Sequence, residues 1–267
     1  MPGGQPESPK SDRLDAEQAA RAVLGQGATA IPKSRDGAVE VIRMLRLTRG
    51  SAVKARTQAV NTLHVLIVTA PDNLREPLRT LRGRTLINHC LNLRPDHDDL
   101  ATLIDQPARL LHTGATTAIH ELARRIHTLT EQITTLDRQL RRLLTTAAPQ
   151  LMALPGIGAE IAGQLLVTVG DKPDRLASEA SFARLCGVAP QPASSGRTTG
   201  RHRLSRSGDR AAKSAIYMAT VTRMRQHPPT RAYLHRRTTE GLTKREIIRC
   251  LKRCVAREIF HALPRTT

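Results

Sequence analysis

Eight apolar residues, Ile119, Leu122, Ile126, Leu129, Ile133, Leu136, Leu140 and Leu143, recur at steps of three and four without a break. Side chains so spaced line one side of a helix, which excludes strand or loop for this stretch. Arg, Glu and Gln lie outside the seam. Such a helix either lies on the core of its own chain or pairs with a second helix across a dry interface. Strict alternation over more than three heptads favours the coiled coil, and residues 113–147 are assigned to it. Pro149 ends the helix.

Helical spacing governs most of the remaining chain. Val39, Ile42, Leu45, Val53, Val60, Leu63 and Ile67 predict a long helix over 39–66. Its other face carries Arg43, Arg46, Arg49, Lys54 and Arg56. Charge of nearly one sign points to RNA or DNA there. Short helices are expected over 74–81, 84–91 and 98–104, punctuated by Pro71, Pro77 and Pro95. Helices are also expected over 16–24, 181–185, 208–225, 230–239 and 243–263, with His227-Pro228-Pro229 as a break. The last would bury Ile247, Ile248, Leu251, Val255 and Ile259 and expose Lys244, Arg245, Arg249, Lys252, Arg253 and Arg257. Cys250 and Cys254 lack further ligands at metal-site spacing, so buried thiols are expected. Strand signals are scarce, and the fold class is mainly α.

The chemistry-bearing residues gather after the seam. Leu154-Pro155-Gly156-Ile157-Gly158 resembles a helix-hairpin-helix turn, in which Gly156 and Gly158 let backbone approach a phosphate. The alternative is a tight turn between helices with no ligand. Further on, Ser194 and Ser195 precede Gly196, and Arg197, Arg201, Arg203 and Arg206 follow, with His202 among them. Guanidinium groups fork onto phosphate oxygens at any working pH. A hydroxyl on a flexed loop ringed by arginines suits attack on a phosphodiester; alternatively, the serines only satisfy turn backbone. Arg210 and Lys213 extend the basic stretch into the next helix. At the other end, Asp12 and Asp15 share one face of a helix start. They can hold a hard divalent ion such as Mg²⁺ or simply complement a positive helix end.

Charge narrows the partners. The 267 residues carry 42 Lys and Arg against 23 Asp and Glu, a net of +19. From Ser181 onward there are 19 basic and 4 acidic residues, so the excess sits in the last third and asks for a polyanion. No apolar run is long enough to span a bilayer, and MPGGQPESPK has no signal-peptide core, so no membrane role is expected. That opening segment is expected to be disordered. Four scattered cysteines suit a reducing compartment. Two Tyr, two Phe and no Trp leave few stacking platforms, favouring contact through phosphates and shape.

The segment CGVAP, then ASSG, then GRHRLSRSGDR running into an Ala-rich helix resembles the C-terminal domain of the DEDD insertion-sequence transposases. These are RNA-guided recombinases with a RuvC-like nuclease domain and a serine-bearing transposase domain. The resemblance covers residues 151–263, together with the motif K-S-D-x-x-D-A at 10–16. It implies a nucleophile at Ser194 or Ser195, phosphate clamps at Arg197, Arg201, Arg203 and Arg206, and Mg²⁺ ligands at Asp12 and Asp15. It further implies DNA and a structured guide RNA as partners, homo-oligomers joined through the coiled coil, and a cytoplasmic, nucleoid-associated place. The expected order is a RuvC-like remnant over 1–112, the coiled-coil linker over 113–147 and the serine transposase domain over 148–267. The first Asp and the Glu of the family's acidic set have no counterpart upstream of Asp12, so either a truncated copy with impaired activity or a wrongly chosen start is expected. The competing reading is a non-catalytic helix-hairpin-helix protein that binds nucleic acid.

Overall fold

The computed structural model describes residues 12–25, 37–96, 99–170, 176, 178–192, 202–204 and 207–264. Its elements are α1 (Asp12–Leu24), α2 (Gly37–Thr69), α3 (Asp72–Arg79), α4 (Gly83–Leu91), a 3₁₀ turn (Leu100–Leu103), α5 (Pro107–Ala147), α6 (Pro149–Ala153), α7 (Ala159–Val169), α8 (Glu179–Leu185), β1 (Pro190–Pro192), β2 (His202–Leu204), α9 (Arg210–Gln226), α10 (Pro228–Thr239) and α11 (Lys244–Ala262). The architecture is mainly α, as expected from the sequence. The departure is the antiparallel ribbon of β1 and β2, which pairs Pro190 with Leu204 and Pro192 with His202.

The heptad helix is α5. Pro107 opens it, where a fixed φ suits the first turn. It stops at Ala147 because Ala148 precedes a proline and leaves the helical region. Ile119, Ile126, Ile133, Leu136 and Leu140 of the seam are buried, and what covers them is α2 of the same chain. Leu63 and Ile67 share one apolar cluster with Ile119 and Ile126, whereas Ile42 shares another with Leu140 and Leu144. The two helices therefore run antiparallel. Within the chain, the seam expected to form a coiled coil packs on α2. The physical reason is that α2 offers a matching stripe, Ile42, Ala52, Ala59, Leu63 and Ile67, whose alanines let the backbones approach. Each large aliphatic buried there contributes about 1.5–3 kcal/mol.

The second core joins the end of this hairpin to everything after it. Leu140 and Leu144 of α5 and Ile42 of α2 lie in one cluster with Leu151, Leu165, Phe182, Ile216 and Ile259. α5 thus runs unbroken through the expected boundary at 112/113, and its C-terminal end packs into the core of the helices that follow. Capping residues set the helix starts. Ser178 with Ser181 caps α8, and Thr243 with Glu246 caps α11, each as a reciprocal capping box. The expected break at His227-Pro228-Pro229 is present: α9 ends at Gln226, and Pro228 and Pro229 open α10, since their missing N–H groups cost nothing in a first turn.

Two side-chain expectations change. The basic face of α2 is largely engaged within the fold. Arg43 pairs with Glu40, Arg46 donates to Gln164 at 2.9 Å and Glu160 at 2.7 Å on α7, and Arg49 binds Asp137 on α5. Cys250 and Cys254 are exposed rather than buried, because the buried stripe of α11 runs through Ile247, Leu251, Val255 and Ile259. Cys90 and Cys186 are the buried thiols, and burial pushes them up to about 11 and about 12 respectively.

Candidate nucleic-acid interface

The base of the β1–β2 ribbon is built by two glycines. Gly187 (φ +61°) ends the turn after α8, and Gly208 (φ +100°) precedes α9. A Cβ on Gly208 would lie 2.6 Å from the Leu185 carbonyl oxygen and 2.7 Å from the Gly187 nitrogen. A Cβ on Gly187 would lie 2.6 Å from the Ser207 carbonyl oxygen. The two chain segments cross at backbone contact, which only glycine permits at positive φ. The Asp209 N–H then donates to the Leu185 carbonyl at 2.7 Å and locks the crossing.

Asp209 also starts α9. Its Oδ1 accepts from the N–H groups of Ala211 at 2.7 Å and Ala212 at 2.9 Å. Its Oδ2 accepts from the Thr168 hydroxyl at 3.1 Å, Thr168 accepts from Gln164, and Gln164 accepts from Arg46. A polar chain therefore runs from α2 through α7 to the first turn of α9. Sequence reasoning missed this role of Asp209, although Asp directly before a helix is a known start signal.

Pro192 pairs with His202, so the ribbon brings together the two ends of the segment that holds Ser194, Ser195, Gly196, Arg197 and Arg201. Those five residues, and Arg206, lie outside the described residues. Arg203 lies in β2 opposite Gln191. Arg210, exposed, opens α9, and Lys213 follows one turn later with its stem beside Gly187. Asp12 opens α1 and Asp15 follows in the same turn. Among the described residues no group of three or more His, Cys, Asp and Glu could hold a metal ion. A two-metal phosphoryl-transfer centre needs several clustered carboxylates, so this pair alone does not fit one.

The LPGIG segment connects α6 and α7. Gly156 has φ +72°, and its side-chain face is filled by the Ala219 carbonyl oxygen and Arg223 Cγ, 3.0 and 3.1 Å from an ideal Cβ. Its small size thus serves packing on α9. Gly158 is different: it is exposed, nothing lies within 4 Å of its ideal Cβ, and no side chain caps the start of α7. Arg223, only 3 % exposed, ties this turn to the rest. Its Nε donates to the Pro155 carbonyl at 2.7 Å and its Nη1 to Glu258 on α11. The sequence marks Arg223 only as one more cation of α9.

The stretch from α6 into α10 now has a recognisable relative. Residues 148–235 match the model of the transposase IS116/IS110/IS902 family. The matched segment contains the LPGIG turn, the glycine crossing, the ribbon and α9. Among curated proteins, the chain is 29 % identical over 160 residues to the insertion element IS110 uncharacterized 43.6 kDa protein of Streptomyces coelicolor, covering 58 % of this chain and 39 % of that one. It is 31 % identical over 146 residues to the insertion element IS116 uncharacterized 44.8 kDa protein of Streptomyces clavuligerus, covering 52 % and 35 %. It is 29 % identical over 131 residues to the pilin gene-inverting protein of Moraxella lacunata, covering 46 % and 40 %. The chain therefore spans well under half the length of the curated relatives it matches. Among the described residues no helix is long and apolar enough to cross a membrane.

Proposed function

We propose that this chain is a DNA-binding module of an insertion-sequence transposase, built to present a serine-bearing segment to a DNA phosphate. The observation that carries the reading is the coincidence of the 148–235 family match with the unit folded around the glycine crossing and the β1–β2 ribbon. In the proposed chemistry the hydroxyl of Ser194 or Ser195 attacks phosphorus. An Oγ–P bond forms, a P–O bond to a deoxyribose breaks, and the serine proton passes to a base while the leaving oxygen takes up a proton. Arg197, Arg201, Arg203 and Arg206 offset charge growing on the nonbridging oxygens. Gly158, Arg210 and Lys213 hold flanking backbone.

Asp12 and Asp15 would supply two ligands of a Mg²⁺ set whose other carboxylates the described residues do not provide. The chain by itself is therefore expected to bind DNA without recombining it, as the helix-hairpin-helix alternative also would. A structured guide RNA choosing the sites, and a place beside the chromosome, belong to the same proposal. The test is a denaturing gel with supercoiled donor DNA, Mg²⁺ and the element's own RNA, beside a native binding assay. Binding without a covalent adduct is expected. An adduct lost in a Ser194→Ala, Ser195→Ala double variant would overturn the expected inactivity while identifying the nucleophile. Failure to bind duplex DNA at low salt would sink the whole reading.

A further inference from the structure

Helices α9 and α11 bring two lysines and a tyrosine together at the foot of the ribbon. Lys213 Cδ and Nζ lie 3.3 and 3.8 Å from the ideal Cβ position of Gly187, so this side chain rests on the tight turn leading into β1. Tyr217 stands one helical turn further along the same face of α9 and is 41 % exposed. From α11, the Lys252 ammonium sits 4.8 Å from the centroid of the Tyr217 ring, within cation–π range. Exposed Arg210 precedes Lys213 by one turn, extending the stripe toward the start of α9.

Lys252 sits in a place adverse to its charge. Burial, and then the nearby charge of Lys213, push its ammonium below the ordinary lysine range. No carboxylate among the described residues pairs with Lys252. The acids nearest in the chain are engaged elsewhere: Asp209 caps α9 and accepts from Thr168, Glu246 caps α11, and Glu258 binds Arg223. Two lysines converging on one tyrosine, Lys213 a helical turn before it and Lys252 over its ring, are a place where an anion gains from both. Ammonium groups act as compact point charges with rotatable donors and suit a tetrahedral phosphate.

We propose that Lys213 and Lys252, with Tyr217 as their floor, seat one backbone phosphate of duplex DNA at the foot of the serine-bearing ribbon. The assignment rests on the DNA-binding reading above and adds to it the contact that sets where the duplex backbone passes. A phosphodiester is favoured over free phosphate because the seat is open and continues into Arg210, as a polymer's repeating charges require.

The test uses the full chain and a short duplex, with affinity measured against salt concentration. Lys252→Met is expected to weaken binding about tenfold near 0.1 M salt and to lower the log–log salt slope by about one. Lys252→Arg is expected to restore most of both. On the wild-type chain, an amine-acylating reagent near neutral pH should label Lys252 ahead of exposed Lys244 and Lys54, and duplex DNA should protect it whereas millimolar inorganic phosphate should not. Unchanged affinity and slope in Lys252→Met, with wild type binding normally, overturns the seat and leaves the proposed function standing. Equal protection by inorganic phosphate also overturns it, in favour of a free-anion site. A wild-type chain that binds no duplex DNA overturns both.

Discussion

Helix α2 and the pair α9–α11 look alike in sequence: each sets cations on one side of an apolar stripe. Their fates in the fold differ at Lys252. On α2, Arg43, Arg46 and Arg49 reach Glu40, Gln164, Glu160 and Asp137, and two of the three tie α2 to α5 and α7. On α9 and α11, Lys252 has an aromatic face and a second lysine but no carboxylate among the described residues. The lesson is that a basic helical face speaks for nucleic acid only after its acidic neighbours in space are counted, and helical spacing does not show those neighbours.

The comparison breaks most sharply at the seam. Ile133→Asp would place a carboxylate where α2 and α5 meet, at a position 5 % exposed. A loss of about 4 kcal/mol or more is expected, since the group must be buried charged, protonated or accommodated by separating the helices. Because the seam is covered within the chain, thermal unfolding of wild type and variant should be independent of protein concentration. A midpoint that rises with concentration, together with a dimer by light scattering, would restore the intermolecular coiled coil.

Next in size is the crossing beneath the ribbon. Gly208→Ala puts a Cβ within 2.7 Å of three backbone atoms at φ +100°. Backbone cannot yield as a flexible side chain can, so a loss of about 3 kcal/mol is expected. Amide exchange should show the loosening in α8, β1 and the first turn of α9, and not in α2 or α5. Uniform loosening would mean that the two cores do not respond separately.

Smaller again is the contrast between arginines. Arg46→Ala removes bonds to Gln164 and Glu160 and should cost about 1–2 kcal/mol in denaturant, with DNA affinity unchanged. Arg210→Ala should do the reverse: stability within about 0.5 kcal/mol of wild type and weaker DNA binding. Should Arg46→Ala lose affinity at unchanged stability, the face of α2 would return as a nucleic-acid surface.

Legibility in the sequence follows the range of the forces involved. The heptad positions of α5 and the stripe of α11 are local signals, and each produced the expected helix. The partner of the α5 seam was not local: Ala52 and Ala59 on α2 carry no periodic signal strong enough to announce a cis pairing. The ribbon escaped notice because β1 is only Pro190–Pro192 and β2 only His202–Leu204, too short for alternation to register. At the candidate site, the order of Gly187, the serines, the arginines and Asp209 was readable. The crossing of Gly187 over Gly208 was not, because it depends on two segments meeting in space. The pairing of Lys252 with Tyr217 needs the α9–α11 packing and has no sequence signature.

The smallest effect concerns Glu179, where the C-terminal helix is held to α8 by charge. Its Oε1 accepts from Arg253 at 2.6 Å and Arg257 at 3.1 Å, and His261 Nε2 lies 3.7 Å from its Oε2. The Arg257 hydrogen bond first, then that from Arg253, lowers the Glu179 carboxyl below its ordinary value of 4.5, against a partial opposition from burial. A carboxyl depressed in the folded state binds its proton more readily once unfolded. The stabilisation is therefore fully present above the ordinary carboxylate value and is lost as pH falls through the lower, folded value. Glu179→Gln mimics the protonated state at every pH. Wild type should then exceed this variant in urea midpoint near neutrality, and the gap should close in acid, as pH falls below the ordinary carboxylate range. Added salt should narrow it at neutral pH, because these partners are only partly shielded from solvent. A gap that stays constant from neutrality into acid would mean that Glu179 acts through packing and hydrogen-bond geometry alone.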